Sequence, residues 1–397
     1  MYVRLGGAIV VVAALTSPAL ADPAAGESAV PATEPAPPPT PTSSGVVAPV
    51  PPSPEQPPAP AFTWEPFGYL RLQYIVVQND PNVAFVGRDD GFELQNARFG
   101  IRGKLGDKMK YVMAIDGAVD ERTQINVPEG KLKVGLKDAY VDTTLSGQVA
   151  ARAGFFQTLV DPNLDADTVR ELVDRPIESR GMRATEGYQT AGLTPGRSLG
   201  AAIRLDPAPP TSGAAVGFEL AVQNGADEYA SNNDNDTPAV SGTVLARLPH
   251  DSWIVASGRF NRRTVGDLPF RQDEDDLQGT IGARIAGGPV AFGFGAVVQR
   301  TSYPTTGGPV QNSYGAHAQL AVKVGGAALP VALFYRFGIL DPSSLILTDR
   351  VMEHTAGAVM TVPAYRLRVQ LQATHVVEEA ARTLSNDRVQ LAAEVSL

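Results

Sequence analysis

The chain has 397 residues, a formal net charge of −9, 43% hydrophobic content, 39 glycines and no cysteine. The missing thiols exclude disulfides, thiolate metal sites and cysteine nucleophiles. No stretch approaches the ~18 uninterrupted apolar residues that a membrane-crossing helix needs, so a helical membrane protein is excluded.

The N-terminus reads as an export signal. Arg4 supplies a positive start, Ala8 to Leu15 an apolar core, and Ala19-Leu20-Ala21 a small-x-small cleavage site, so residues 1–21 are expected to be a signal peptide. Residues 22–63 follow as a proline- and alanine-rich segment, with prolines from Pro35 to Pro60. Such a composition cannot bury a core and predicts a disordered, extended periplasmic linker, with cell-wall contact as a second role.

From residue 64 the chain reads as all-β, and from Phe67 about sixteen strand-like segments are expected. They are 67–77, 92–105, 108–117, 133–145, 148–157, 197–205, 214–224 and 238–248, then 252–263, 275–286, 289–301, 312–324, 329–338, 350–361, 364–377 and 386–397. Tight turns at Gly106-Asp107, Ser146-Gly147, Gly287-Gly288 and Val362-Pro363 alternate with longer polar loops, the longest over 158–196. Short turns at one end, long loops at the other and an even count are the pattern of a transmembrane antiparallel β-barrel of the Gram-negative outer membrane, spanning 64–397. The last strand is the clearest, with Val389, Leu391, Ala393, Val395 and Leu397 apolar and Gln390, Glu394 and Ser396 between them. A period of two places one face in lipid and the other in water.

That alternation assigns side chains to the lumen. Arg71, Arg98, Arg102, Lys104, Lys108, Lys110, Arg152, Arg259, Arg284, Arg336, Arg366 and Arg368 are expected to line a pore, with Arg204, Arg247 and Lys323 beside them. Lumenal acids are fewer: Asp116, Asp138, Asp142, Glu219, Glu353 and Glu394. The remaining acids are assigned to loops, among them Asp89, Asp90 and the run Asp273-Glu274-Asp275-Asp276. A wet pore walled by guanidinium and ammonium groups favours anions.

A structureless excursion as long as 158–196 calls for a reason, and folding into the lumen as a constriction loop supplies one. Its charged residues include Arg170, Glu171, Asp174, Arg175, Glu178, Arg180 and Arg183, with a short helix predicted over Thr168 to Arg175. Tyr69, Tyr74, Tyr111, Trp253, Tyr314 and Tyr365 fit interfacial girdles.

Several segments are also recognisable. Gly68-Tyr69-Leu70-Arg71-Leu72, the run Phe92 to Leu105 (FELQNARFGIRGKL), Leu136 to Asp142 (LKDAYVD) and Val149 to Phe156 (VAARAGFF) resemble the start of the phosphate-selective porin O and P family. The resemblance implies a sixteen-stranded, trimeric porin with a basic lumen, taking small anionic or polar solutes. The family's basic residue after the aromatic pair is replaced here by Gln157-Thr158, which points to a general, anion-preferring porin with phosphate as one candidate solute.

Other signals carry less. His250, His317, His354 and His375 lie on separate segments without metal-ligand spacing, so neither metal nor cofactor is expected. No Gly-x-Ser-x-Gly elbow or phosphate-binding loop occurs, and neither enzymatic activity nor a nucleic-acid partner is expected. The alternatives to a porin are a barrel enzyme with a plugged pore and a structural or adhesive barrel working through the 22–63 segment.

Overall fold

The computed structural model describes residues 62–397 apart from 85, 88–89, 119–133, 164–173, 184–185, 226–231, 267–268, 327–328 and 380–382. The expected signal peptide and the proline-rich segment up to residue 61 lie outside the described residues.

Among the described residues the chain runs through β1 (Phe62–Val77), β2 (Gly91–Leu105), β3 (Met109–Asp116), β4 (Gly135–Ser146) and β5 (Val149–Gln157). A long connection then carries the four-residue helix α1 (Ile177–Arg180) and the two-residue strands β6 (Gly181–Met182) and β7 (Thr190–Ala191). The wall resumes with β8 (Arg197–Leu205), β9 (Ala215–Gln223), β10 (Ala239–Leu248), β11 (Ser252–Val265), β12 (Gln272–Gly287) and β13 (Val290–Ser302). It ends with β14 (Gln311–Lys323), β15 (Val331–Asp341), β16 (Arg350–Val362), β17 (Leu367–Glu379) and β18 (Arg388–Ser396). All strands except β6 and β7 form one closed antiparallel barrel, sixteen strands around, with β5 beside β8 and β1 sealed against β18.

Closure follows from the medium. A lipid core offers no water to backbone N–H and C=O groups, so each must find a strand neighbour on both sides. The period-two pattern then sorts side chains. On β18, Val389 and Leu391 are each 49% exposed while Arg388 and Gln390, which alternate with them, are at most 2% exposed. The outward surface is a belt of Leu70, Leu72, Val244, Ile281, Leu333, Leu371 and similar residues, and the interior is polar. This inversion of a soluble protein is what a lipid-embedded barrel requires.

Several boundaries differ from the sequence expectation, and three of the differences have a clear physical reason. First, β1 begins at Phe62 rather than 67, and Phe62 stacks on outward-facing Tyr111 with ring centres 5.7 Å apart. Pro66 is tolerated there because β18 reaches only to Tyr69, leaving one edge of that stretch outside the ladder. Second, β12 begins at Gln272, so Asp273 to Asp276 belong to a strand and not to a loop. Pairing with β11 sets Arg262 opposite Asp275 and Arg263 opposite Glu274, and these ion pairs extend the hairpin beyond its apolar part. Third, Pro363–Tyr365 form a turn of 3-10 helix and Arg366 adopts a left-handed backbone (φ 48°), so β17 starts only at Leu367.

Two aromatics depart from the girdle. Tyr69 points inward between Arg71 and Arg98, whose guanidiniums lie 5.4 and 5.3 Å from its ring centre. Trp253 is buried inside with Leu245 and Val255, against Leu159 of the long connection.

The lipid-facing assignment has a direct test. Leu391→Arg near the middle of β18 should destabilise the bilayer-folded barrel by ~2–4 kcal/mol, whereas Ala392→Ser on the inward face should cost less. Denaturant titration of the vesicle-folded variants measures both.

Candidate functional site

The inward bases are for the most part ion-paired. Arg71 and Arg368 share Glu394, with Arg71 Nε 2.8 Å from its carboxylate. Arg98 lies 3.7 Å from Asp116. Arg152 donates to both oxygens of Asp142 at 2.7 Å and stacks 3.7 Å over the Tyr140 ring. Arg204 reaches Asp206 at 3.0 Å and Glu219 at 3.5 Å. Arg102 pairs with Glu65 at 2.7 Å near the turn end, both side chains more than half exposed. Arg259 and Arg284 sit opposite Gln278 and Trp253 on the inward faces of β11 and β12.

The acids placed in a loop by sequence join the wall instead. Glu274 and Asp276 are buried on the inward face of β12, 2.9 and 3.3 Å from Arg263. The interior is therefore closer to charge balance than the alternation alone implies. The lysines behave differently. Lys104 and Lys110 face each other across β2 and β3, exposed and with no acidic partner among the described residues. Lys108 lies in the turn between these strands and Arg366 in the turn before β17, so both stand at the rim rather than on the wall.

The long connection folds inside, and hydrogen bonds mark its path. The Leu159 carbonyl accepts from Ser257 of β11 at 3.1 Å, and the Val160 carbonyl from Thr280 of β12 at 2.8 Å. Asp174 accepts from Gln372 of β17 and Gln390 of β18, both at 3.1 Å. Arg336 of β15 donates to the Asp174 and Arg175 carbonyls at 2.9 and 3.3 Å. On the way back Arg183 reaches Glu93 of β2 at 2.8 Å, and Gln278 of β12 donates to the Leu193 carbonyl.

A row of small residues in the wall makes room for it. Gly282 of β12 stands opposite Gly295 of β13, Gly295 opposite His317 of β14, and His317 opposite Gly338 of β15. A Cβ on Gly282 would collide with the Pro162 carbonyl, and one on Gly338 would lie 3.1 Å from Ile177 Cγ2. Gly315, also inward on β14, lies beneath Glu178 in the same way. Bare backbone at Gly315 and Gly338 lets α1 lie directly on the sheet, where Ile177 and Met182 pack with Leu340, Val351 and Val376.

Charge locks the docked segment. Arg180 donates to Glu186 at 2.8 Å and to Glu353 at 2.6 Å, and Glu353 also accepts from Arg388 at 2.8 Å, all four side chains almost fully buried. Asn386 donates to the Glu186 carbonyl at 2.7 Å, and Glu178 pairs with His317. Burial pushes the Glu186 carboxyl up, but the guanidiniums of Arg180, Arg388 and Arg183 outweigh it and hold the group well below the usual carboxylate range. Arg170 and Glu171 lie outside the described residues, as does most of the helix expected over Thr168 to Arg175. The helix described starts after it, at Ile177.

Sequence reading missed Glu186, Arg388, Glu93 and the glycine row. Alternation does place Arg388 inward, and inward glycines on consecutive strands are a usable signal for something packed against a wall.

This geometry has counterparts among known proteins. The family model for phosphate-selective porin O and P matches residues 68–241. An anion-selective porin from Comamonas acidovorans superposes with a TM-score of 0.61 at 16% identity, over 85% of this chain and 100% of that one. The outer membrane channel DcaP of Acinetobacter baumannii gives 0.58 at 12% identity, over 85% and 97%. The in-vitro folded OmpT of Vibrio cholerae, in its trimer form, gives 0.56 at 9%, over 85% and 100%. No curated protein matches the chain. At these identities the solved structures establish the fold, which is that of outer-membrane porins.

Two outcomes are expected. Gly338→Val should wedge Ile177 off the wall, changing single-channel conductance while leaving the barrel's circular dichroism intact. Glu186, with its carboxyl below the unfolded value, contributes stability that is fully present above about pH 4.3 and is lost as pH falls through the depressed value. Limited proteolysis of 158–196 should therefore find steady protection between about pH 5 and 8 and faster cleavage only in strong acid.

Proposed function

We propose that this chain, matched by the phosphate-selective porin O and P family over residues 68–241 and built on an outer-membrane porin fold, forms a water-filled channel for small hydrophilic solutes with a preference for anions. The observation that carries the reading is the sixteen-strand closure around a polar, ion-paired interior. Barrels of this strand number are too wide for wall side chains to fill, which leaves an aqueous passage. The segment 158–196, held inside by the Arg180–Glu353–Arg388 cluster, then narrows that passage and acts as its constriction loop.

Selectivity comes from the charges left over once pairs are discounted. Lys104 and Lys110 on the inward face and Lys108 at the adjoining turn form a positive mouth, and a narrow wet opening focuses their field on passing ions. The paired arginines, from Arg71 to Arg368, supply hydrogen-bond donors along the wall more than net charge. Phosphate is one candidate solute. In the same reading the protein is a homotrimer in outer-membrane lipid, supported by the trimer form of the V. cholerae structure. Residues 1–21 direct export, and the stretch from residue 22 up to the start of β1 at Phe62 serves as a periplasmic spacer able to touch the cell wall. No catalytic role is assigned.

The test is electrical. The refolded protein in a planar bilayer should give stable conductance, with a reversal potential across a KCl gradient that favours chloride. Lys104→Gln, Lys108→Gln and Lys110→Gln together should move that potential toward potassium without closing the channel. A protein that folds but never conducts would sink the reading.

A further inference from the structure

Outside the lumen, one cluster is chemically out of place on a lipid-facing wall. His354 of β16 and His375 of β17 stand directly opposite each other in register, and their alternation turns both outward. Their ring centres are 6.3 Å apart with planes inclined by 30°. Each Nδ1 is engaged: that of His354 lies 2.7 Å from the Tyr335 hydroxyl, and that of His375 lies 2.8 and 2.9 Å from the two Asp387 oxygens. Phe337 closes the third side, its ring centre 5.1 Å from that of His354. The His375 and Asp387 side chains are 62% and 48% exposed. The cluster lies toward the loop end of the wall, since β16 starts at Arg350, β17 stops at Glu379, and this pair bonds across the same two strands.

We infer that His354 and His375 form a two-histidine binding site for a divalent transition-metal ion of the zinc, copper or nickel type, each ligating through Nε2. A carboxylate only accepts hydrogen bonds, so Asp387 fixes His375 with its proton on Nδ1 and its lone pair on Nε2. A ligating histidine almost always donates its other N–H to an oxygen in this way, and Asp387 and Tyr335 provide that oxygen for both rings. An ion lies ~2.1 Å from each imidazole nitrogen, which puts two rings sharing one ion ~5–6 Å apart centre to centre, close to the spacing seen. Among the described residues no three histidine or acidic side chains converge on one point, so the protein supplies two ligands and water or a lipid phosphate completes the shell. Imidazole donors select zinc, copper and nickel over magnesium and calcium.

The experiment uses tag-free full-length protein in detergent micelles. Titration with ZnCl2 by calorimetry should give one saturable site per chain that MgCl2 does not occupy. With one equivalent of Cu2+, electron paramagnetic resonance should resolve coupling to two equivalent nitrogens. His375→Gln or His354→Gln should abolish the two-nitrogen spectrum, and Asp387→Asn should weaken zinc binding about 10–100-fold. His250→Gln, in a distant turn, should change nothing. Conductance should be the same in every variant, because the site lies outside the lumen. Absence of saturable binding, a one-nitrogen spectrum, or binding unaffected by His375→Gln in variants that retain barrel circular dichroism would each overturn the assignment.

Discussion

Everything in this molecule depends on one constraint: within lipid, each backbone N–H and C=O must be paired by another strand. An open sheet leaves two unsatisfied edges, so the sheet has to close, and β1 meets β18 through register pairs from Tyr69–Ser396 to Val77–Arg388. Closure in turn fixes an inside and an outside. The period of two then decides, residue by residue, which side chains must be apolar and which are free to carry charge. The interior arginines do not stabilise the barrel in the way a hydrophobic core would. They are permitted there, and nearly all have found partners.

Those partners change what the interior can do electrically. An arginine bonded in two places to a carboxylate, as Arg152 is to Asp142, presents solutes with a dipole and hydrogen-bond donors rather than a full positive charge. Buried clusters such as Arg180, Glu186, Glu353 and Arg388 also resist partial dismantling. Removing one member leaves the others desolvated and unpaired, at about 3–5 kcal/mol, while the intact cluster can be close to neutral overall. The cluster therefore specifies where the segment sits more than how stable the barrel is.

The fold was legible in the sequence because its physics is local: Val389 to Leu397 displays in nine residues the alternation that the whole wall obeys. The faces of Arg71, Arg98, Arg152 and Arg336 followed from the same rule. What local pattern could not supply was anything set by register. Asp273 to Asp276 look like a loop until Arg262 and Arg263 are found opposite them. His354 and His375 look unrelated until β16 is laid against β17. Pro363 signals a turn correctly, yet gives no hint that the turn extends through Arg366. The glycines that seat the inserted segment lie on β12 to β15, far along the chain from the residues they receive, so only the assembled barrel relates them.

That separation has a consequence for how the protein is made. The segment from Thr158 to Gly196 precedes nearly all of its partners in the chain. Asp174 bonds to a glutamine 216 residues later, and Arg180 to a glutamate 173 residues later. Contacts of such long range form late, after the intervening chain has been ordered. The inserted segment can settle only when β12 to β18 have assembled around it, so its docking reports on completion of the barrel. Until then its buried arginines and carboxylates stay hydrated, and their desolvation belongs to the last stage of folding.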